Sequence, residues 1–321
     1  MAQFGYTLMG EQAGPRQLVR DAARAEAAGF DFTVCSDHFN PWLEEQGHSP
    51  YAWAVLGAVA QVTERMGLMS FVTCPTRRYH PAVVAQKAAT VGLLSGGRFT
   101  LGLGAGENLN EHVVGGWPHA RVRHRMLAEA LQIIQPLLTG QTVRFDGDYF
   151  EVAEARLWDR PAEGVPIAVA VSGSDSCRLA AIYGDAMIAT EARAGLIRDF
   201  EASGGVRRPR YGQVTVCYGA DEGRCRQLAH ERHRWYGLGW PVNAELPNPA
   251  AFASASGMVT EEQVAAQIPC GPDVARHADA VRAYLEAGFT HVAVVQVGGE
   301  NQDEFLDFAQ KELLPALRSD V

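Results

Sequence analysis

The chain has 321 residues, 47% of them hydrophobic, which is enough for a sizeable core. Its formal charge of −9 argues against a general nucleic-acid or anionic-membrane surface, and no apolar run approaches the length of a membrane span. Its six cysteines form no C-x-x-C pair and its start lacks a basic, apolar leader, so a reduced cytoplasmic protein is expected.

In chain order, short β-rich runs alternate with amphipathic stretches, the pattern of a parallel sheet with crossover helices. The strands expected are 4–9, 32–36, 67–73, 99–104, 166–171, 186–190, 213–217 and 291–297, with helices such as 15–28, 52–65, 82–94 and 121–138 between them. Eight βα units without a second composition regime imply a closed (β/α)₈ TIM-type barrel, a single domain spanning 1–321. Two stretches break the alternation. Residues 141–165 contain VRFDGDYFEV, read as a hairpin turning at Asp146-Gly147, and 237–270 form an insertion after the seventh strand.

In such a barrel the chemistry sits at the C-terminal ends of the strands. Strand 2 ends in Ser36-Asp37-His38-Phe39-Asn40-Pro41-Trp42, where an imidazole suits general-base work and Trp42 offers a flat apolar wall. Alternatively Asp37 caps a turn and His38 only bonds to it. Strand 4 runs into GLGAGENLNE (102–111), whose alternate glycines suit close approach to the backbone and whose Glu107 can reach a ligand. A dinucleotide-binding reading fails because the helix is expected only near Arg121. Strand 5 opens into a helix through Ser172-Gly173-Ser174-Asp175, which reads as a phosphate site or as an N-cap by Ser174 or Asp175. No metal is expected: H-x-H and H-E-x-x-H are absent, and His230 and His233 in HERHR read as a solvated helix face. Cys74 reads as a packed thiol lining the site. Only two of the 28 basic residues are lysines, Lys87 and Lys311, both in helical patterns, which disfavours Schiff-base chemistry.

Together these segments resemble the luciferase-like flavin/deazaflavin family, in its branch of F420-dependent glucose-6-phosphate dehydrogenase-like enzymes. The resemblance rests on S-D-H-F-x-P-W (36–42), G-H-S-P (47–50), C-P-T-x-R-Y-H-P-A-V-V-A-Q (74–86), G-A-G-E-N-L-N-E (104–111), F-D-G-D-Y-F (145–150), A-V-S-G (170–173) and L-L-P (313–315). It implies F420 as cofactor, a small-molecule substrate and a homodimer. By resemblance His38 is the base, Glu107 serves the deazaflavin ring as acid, and Trp42 walls the site. Asp37, Phe71, Val72, Cys74, Gly106, Asn110, Ser172, Gly173 and Ser174 hold the cofactor, and Phe71-Val72 is a position often cis in the family. Glu11 lines the substrate space. Of two phosphate-binding lysines in the family, one position matches Arg193 and the other falls on Ala266, so an uncharged alcohol or carbonyl competes with glucose 6-phosphate as substrate. Two other readings stand beside this one: an FMN-dependent monooxygenase of the same superfamily, and a non-catalytic flavin-binding barrel.

Overall fold

The computed structural model describes residues 2–319. Eight parallel strands close into a barrel in the order β1-β10-β9-β8-β7-β4-β3-β2. In chain order they are β1 (Gln3–Leu8), β2 (Phe32–Cys35), β3 (Gly67–Ser70), β4 (Phe99–Leu103), then after a separate two-stranded hairpin β7 (Ile167–Ala170), β8 (Ala186–Ala189), β9 (Arg210–Val216) and β10 (His291–Gln296). The hairpin strands are β5 (Val143–Asp146) and β6 (Glu151–Ala155). All eight expected barrel strands are present. The seventh begins earlier than its apolar run suggests, because Arg210-Tyr211-Gly212 pair with β8 and Tyr211-Gly212 also pair with β10.

Side-chain alternation builds two cores. Phe32, Val34, Met69, Phe71, Ala168, Ala186, Ile188 and Ala293 fill the barrel interior, while Phe4, Tyr6, Leu101, Val169, Val216 and Val294 face the surrounding helices. The helix starting at Ala52 ends at Val62 rather than Arg65. Its C-terminal end is taken by Arg98, which donates to the carbonyls of Ala60, Thr63 and Met66, while Glu26 accepts the N–H groups of residues 64–66.

Three local expectations need correction. The hairpin does not turn at Asp146-Gly147, since Asp146 still pairs with Glu151 and the turn is 147–150. The Glu129 carboxylate fixes that turn by accepting from the N–H groups of Asp148, Tyr149 and Phe150. A one-turn helix (Asn108–Glu111) starts directly after Glu107, well before the long helix Ala120–Leu138. Of the strand-4 glycines, Gly102 serves packing rather than ligand approach, since a Cβ on it would lie 1.9 Å from the Ser70 carbonyl oxygen; one on Gly106 would lie 2.6 Å from Cys74 Sγ.

Candidate active site

At the C-terminal mouth, the segment after β2 carries His38 into a pocket between two carboxylates. Its Nδ1 lies 2.6 Å from Glu11 Oε1 and its Nε2 3.7 Å from Glu107 Oε1. The Glu11 contact is an ion pair rather than an aligned hydrogen bond. Ser36 Oγ donates to the other oxygen of Glu11 at 2.6 Å. Burial alone would lower the His38 pKa, but the Glu11 and Glu107 carboxylates outweigh it and hold it up at about 9. Burial likewise opposes ionisation of Glu11, yet His38 and Ser36 keep that carboxyl below its ordinary value. His38 is therefore neither solvated nor merely bonded to Asp37. It is half of a buried ion pair facing the barrel mouth.

Glu107 is held in turn. Asn110 Nδ2 donates to Glu107 Oε1 at 2.6 Å, while Asn110 Oδ1 accepts from the N–H groups of Phe39 and Asn40 at 2.7 and 2.9 Å. One buried amide thus ties the segment after β4 to the segment after β2 and fixes the His38–Glu107 separation.

Trp42 forms the apolar wall. Its ring meets His38 edge-on at 5.1 Å, stacks on Trp235 at 4.2 Å and 11°, and takes the edge of Phe252 at 5.1 Å. Sequence reading missed Trp235, which follows the helix after β9, and Phe252, which lies within the 237–270 insertion. His233 was misassigned. It is fully buried with Trp235 5.6 Å away, and burial pulls its pKa to about 4, so it is a neutral core imidazole and not part of a solvated face. Among the described residues no group of His, Cys, Asp or Glu is arranged to hold a metal.

Beneath the site lies a network that no single motif announced. Asp37 is buried and accepts from Trp53 Nε1 (3.2 Å), Thr73 Oγ1 (2.7 Å) and Tyr79 OH (3.1 Å). Arg78 donates to the Asp37 carbonyl at 2.6 Å and pairs through Nε with Glu111 at 2.7 Å. With both its oxygens engaged, Asp37 anchors the β2 end on which His38 stands. The segment R-Y-H-P was the available signal, but only the fold shows that Arg78 reaches both carboxylates. Replacing Arg78 with methionine strands Glu111 and Asp37, and should cost about 3–5 kcal/mol of stability in denaturant titration.

The remaining expected residues are dispersed around the mouth. The Phe71–Val72 peptide is cis, as the resemblance implies. Cys74 is buried against Thr76 Oγ1 at 2.9 Å, and burial pushes its thiol pKa well up, so it is inert packing. At β7, neither Ser174 nor Asp175 is the cap: Gly173 is the N-cap of helix Ser174–Tyr183, and Ser176 Oγ accepts from the N–H groups of Ser172 and Gly173. Arg193 stands exposed after β8, 3.3 Å from Glu191. Ala266 lines a cleft of about 550 Å³ with Gly237, Leu238, Ala255, Met258 and Val259.

A closed barrel with a His–carboxylate pair at its C-terminal mouth suits proton-transfer chemistry, and sequence comparison gives the family. The chain belongs to the luciferase-like monooxygenase family, whose model matches residues 1–291. It is 35% identical to a protein of Intrasporangium calvum named F420-dependent glucose-6-phosphate dehydrogenase, over 99% of each chain. A protein of the same name from Nocardia farcinica is also 35% identical, over 99% of this chain and 98% of that one. Among solved structures, an F420-dependent secondary alcohol dehydrogenase in complex with an F420-acetone adduct superposes with a TM-score of 0.89 at 28% identity, covering 98% of this chain and 99% of that one.

Proposed function

We propose that this protein is an F420-dependent oxidoreductase that moves hydride between an uncharged alcohol carbon, or the corresponding carbonyl, and the deazaflavin. The observation that carries the reading is the His38–Glu11 ion pair, 3.7 Å from Glu107 and walled by Trp42. A binding-only barrel has no need of a base and an acid at its mouth.

The residues suit such a cofactor. At Gly173 an added Cβ would meet nothing within 4 Å, and the first N–H groups of the helix beginning at Ser174 have no intrahelical acceptor, which suits the anionic tail. Ser172, Gly173 and Ser174 would hold that tail. The Phe71-Val72 peptide, Gly106 and Asn110 would border the ring, and Asp37 and Cys74 would support it from below. When bound, F420 supplies a carbon that accepts or returns hydride.

The chain's own groups do the rest. In alcohol oxidation, neutral His38 takes the hydroxyl proton at Nε2 as hydride leaves the same carbon. In the reverse direction, the imidazolium returns that proton to the carbonyl oxygen. Glu11 stabilises the charged imidazole from Nδ1. Glu107, oriented by Asn110, handles the proton at the ring, and the Trp42–Trp235 wall keeps water from the reacting carbon.

The substrate assignment follows from where the cations are spent. Arg78 is committed to Asp37 and Glu111, Arg234 to Glu45, and Arg193 to Glu191, while Ala266 brings no charge. Stacked indoles wall the site instead, backed by the fully buried Phe252. A panel of uncharged secondary alcohols with F420, read by loss of cofactor absorbance, tests this. These alcohols should exceed glucose 6-phosphate by about tenfold or more in kcat/KM. Arg193→Ala should leave their turnover nearly unchanged. Robust glucose 6-phosphate turnover abolished by Arg193→Ala would contradict the assignment.

We also infer one barrel domain across residues 1–321, working in the cytoplasm as a homodimer. Helices Ala52–Val62 and Pro81–Leu94 together expose Val62, Val83, Leu93 and Leu94, a face suited to a second copy. Light scattering on the purified protein checks the mass. Among the described residues no helix is long and apolar enough to cross a membrane.

A further inference from the structure

Three of the six cysteines, far apart in sequence, come together away from the active site. Cys217 follows β9, Cys225 lies one turn into the helix Glu222–His233, and Cys270 ends the insertion. All three are buried in one cluster with Leu228, Val264, Ile268 and Val297. Cys217 and Cys270 face each other across a parallel β-bridge: Cys217 N–H donates to the Pro269 carbonyl at 2.9 Å, and Gly271 N–H to the Cys217 carbonyl at 3.0 Å. Cys217 Sγ also donates to the Cys225 carbonyl at 3.3 Å.

Paired strands run about 4.7–4.9 Å apart, inside the Cα separation of roughly 4.4–6.8 Å that a disulfide spans. Side chains at bridged positions lie on the same face, and here both enter the same cluster. From this geometry we propose that Cys217 and Cys270 form a thiol–disulfide site, with Cys225 as the thiol that starts the exchange. Cys225 is the least enclosed of the three thiols, and its interaction with Cys217 draws its pKa below the ordinary value against the effect of burial.

The chemistry balances with a two-electron oxidant such as diamide. The Cys225 thiolate adds to the N=N bond, and Cys217 displaces the reduced hydrazide to give a Cys217–Cys225 disulfide. Cys270 then attacks Cys217, releasing Cys225 and leaving the Cys217–Cys270 bond. In sum two S–H bonds are lost, one S–S bond forms, and two electrons and two protons go to diamide. The product covalently closes the chain from 217 to 270, fastening the insertion that carries Phe252 and the segment that carries Trp235 to the barrel strand.

Trypsin separates the three cysteines, since cleavage after Arg210, Arg224, Arg226, Arg234 and Arg276 leaves them on peptides 211–224, 225–226 and 235–276. Native protein treated with diamide and then alkylated should yield a 211–224/235–276 disulfide, with four thiols remaining of the six. Circular dichroism before and after treatment confirms that the fold is kept. Chymotryptic cleavage within 237–258 should slow by about tenfold or more, and recover with dithiothreitol. In Cys225→Ser the same link should form more slowly, and in Cys270→Ser it should be absent. Six free thiols after prolonged treatment, a lasting Cys217–Cys225 link, or links to Cys35, Cys74 or Cys177 would overturn the assignment. None of these readouts uses F420, so the result is independent of the proposed reaction.

Discussion

Changing His38 to asparagine should lower saturated turnover by about 10²–10⁴-fold, the usual contribution of a positioned general base, with F420 affinity nearly unchanged. The expectation comes from placement: His38 Nδ1 is spent on Glu11, and only Nε2 faces Glu107 and the mouth. The substitution also removes the partner of a fully buried carboxylate, so it should destabilise the protein. Adding Glu11→Gln relieves that unpaired charge. The double variant should regain much of the stability and none of the activity. If turnover instead recovers along with stability, His38 is a structural residue.

The pH dependence should be equally large and opposite in sign for the two directions of reaction. With its folded-state pKa raised to about 9, His38 is charged at neutral pH. Alcohol oxidation needs it neutral, so that rate should climb about tenfold per pH unit toward 9 and then level. Carbonyl reduction needs it charged and should fall above pH 9. Glu11→Gln removes the main raising charge and should move the inflection down by about one unit or more. The sign for stability follows by linkage. An imidazole raised from about 6.5 unfolded to about 9 folded contributes on the order of 3 kcal/mol, fully present below pH 6.5 and lost as pH rises through 9. A flat oxidation profile between pH 6 and 9, with chemistry rate-limiting, would remove His38 as the base.

The barrel was legible because most strands are buried on both faces and read as short apolar runs, and because helices such as Pro15–Ala28 and Ala120–Leu138 carry clear 3.6-residue periodicity. Strand ends then pointed to His38, Trp42 and Glu107, which the fold brings into one mouth. What stayed hidden depends on contacts across the closed barrel. HERHR has the composition of a solvated face, yet its His233 turns inward because the segment after it folds over the mouth and stacks Trp235 on Trp42. Arg78 and Glu111 are unremarkable charges until β3 and β4 set their segments side by side. Gly102 looks like part of a ligand cradle in one dimension, whereas in three dimensions it leaves room for the neighbouring Ser70 carbonyl. The three-thiol cluster has no sequence signature, since its spacing is set by a helix and an insertion.

The most direct test of the account is a titration of the purified protein with F420 and, separately, with FMN, followed by fluorescence quenching with oxygen uptake monitored in parallel. F420 should bind in the micromolar range or tighter, roughly −8 kcal/mol or better, with FMN markedly weaker and no oxygen consumed. FMN binding as tightly as F420, accompanied by oxygen uptake, would contradict the account and make the protein a monooxygenase.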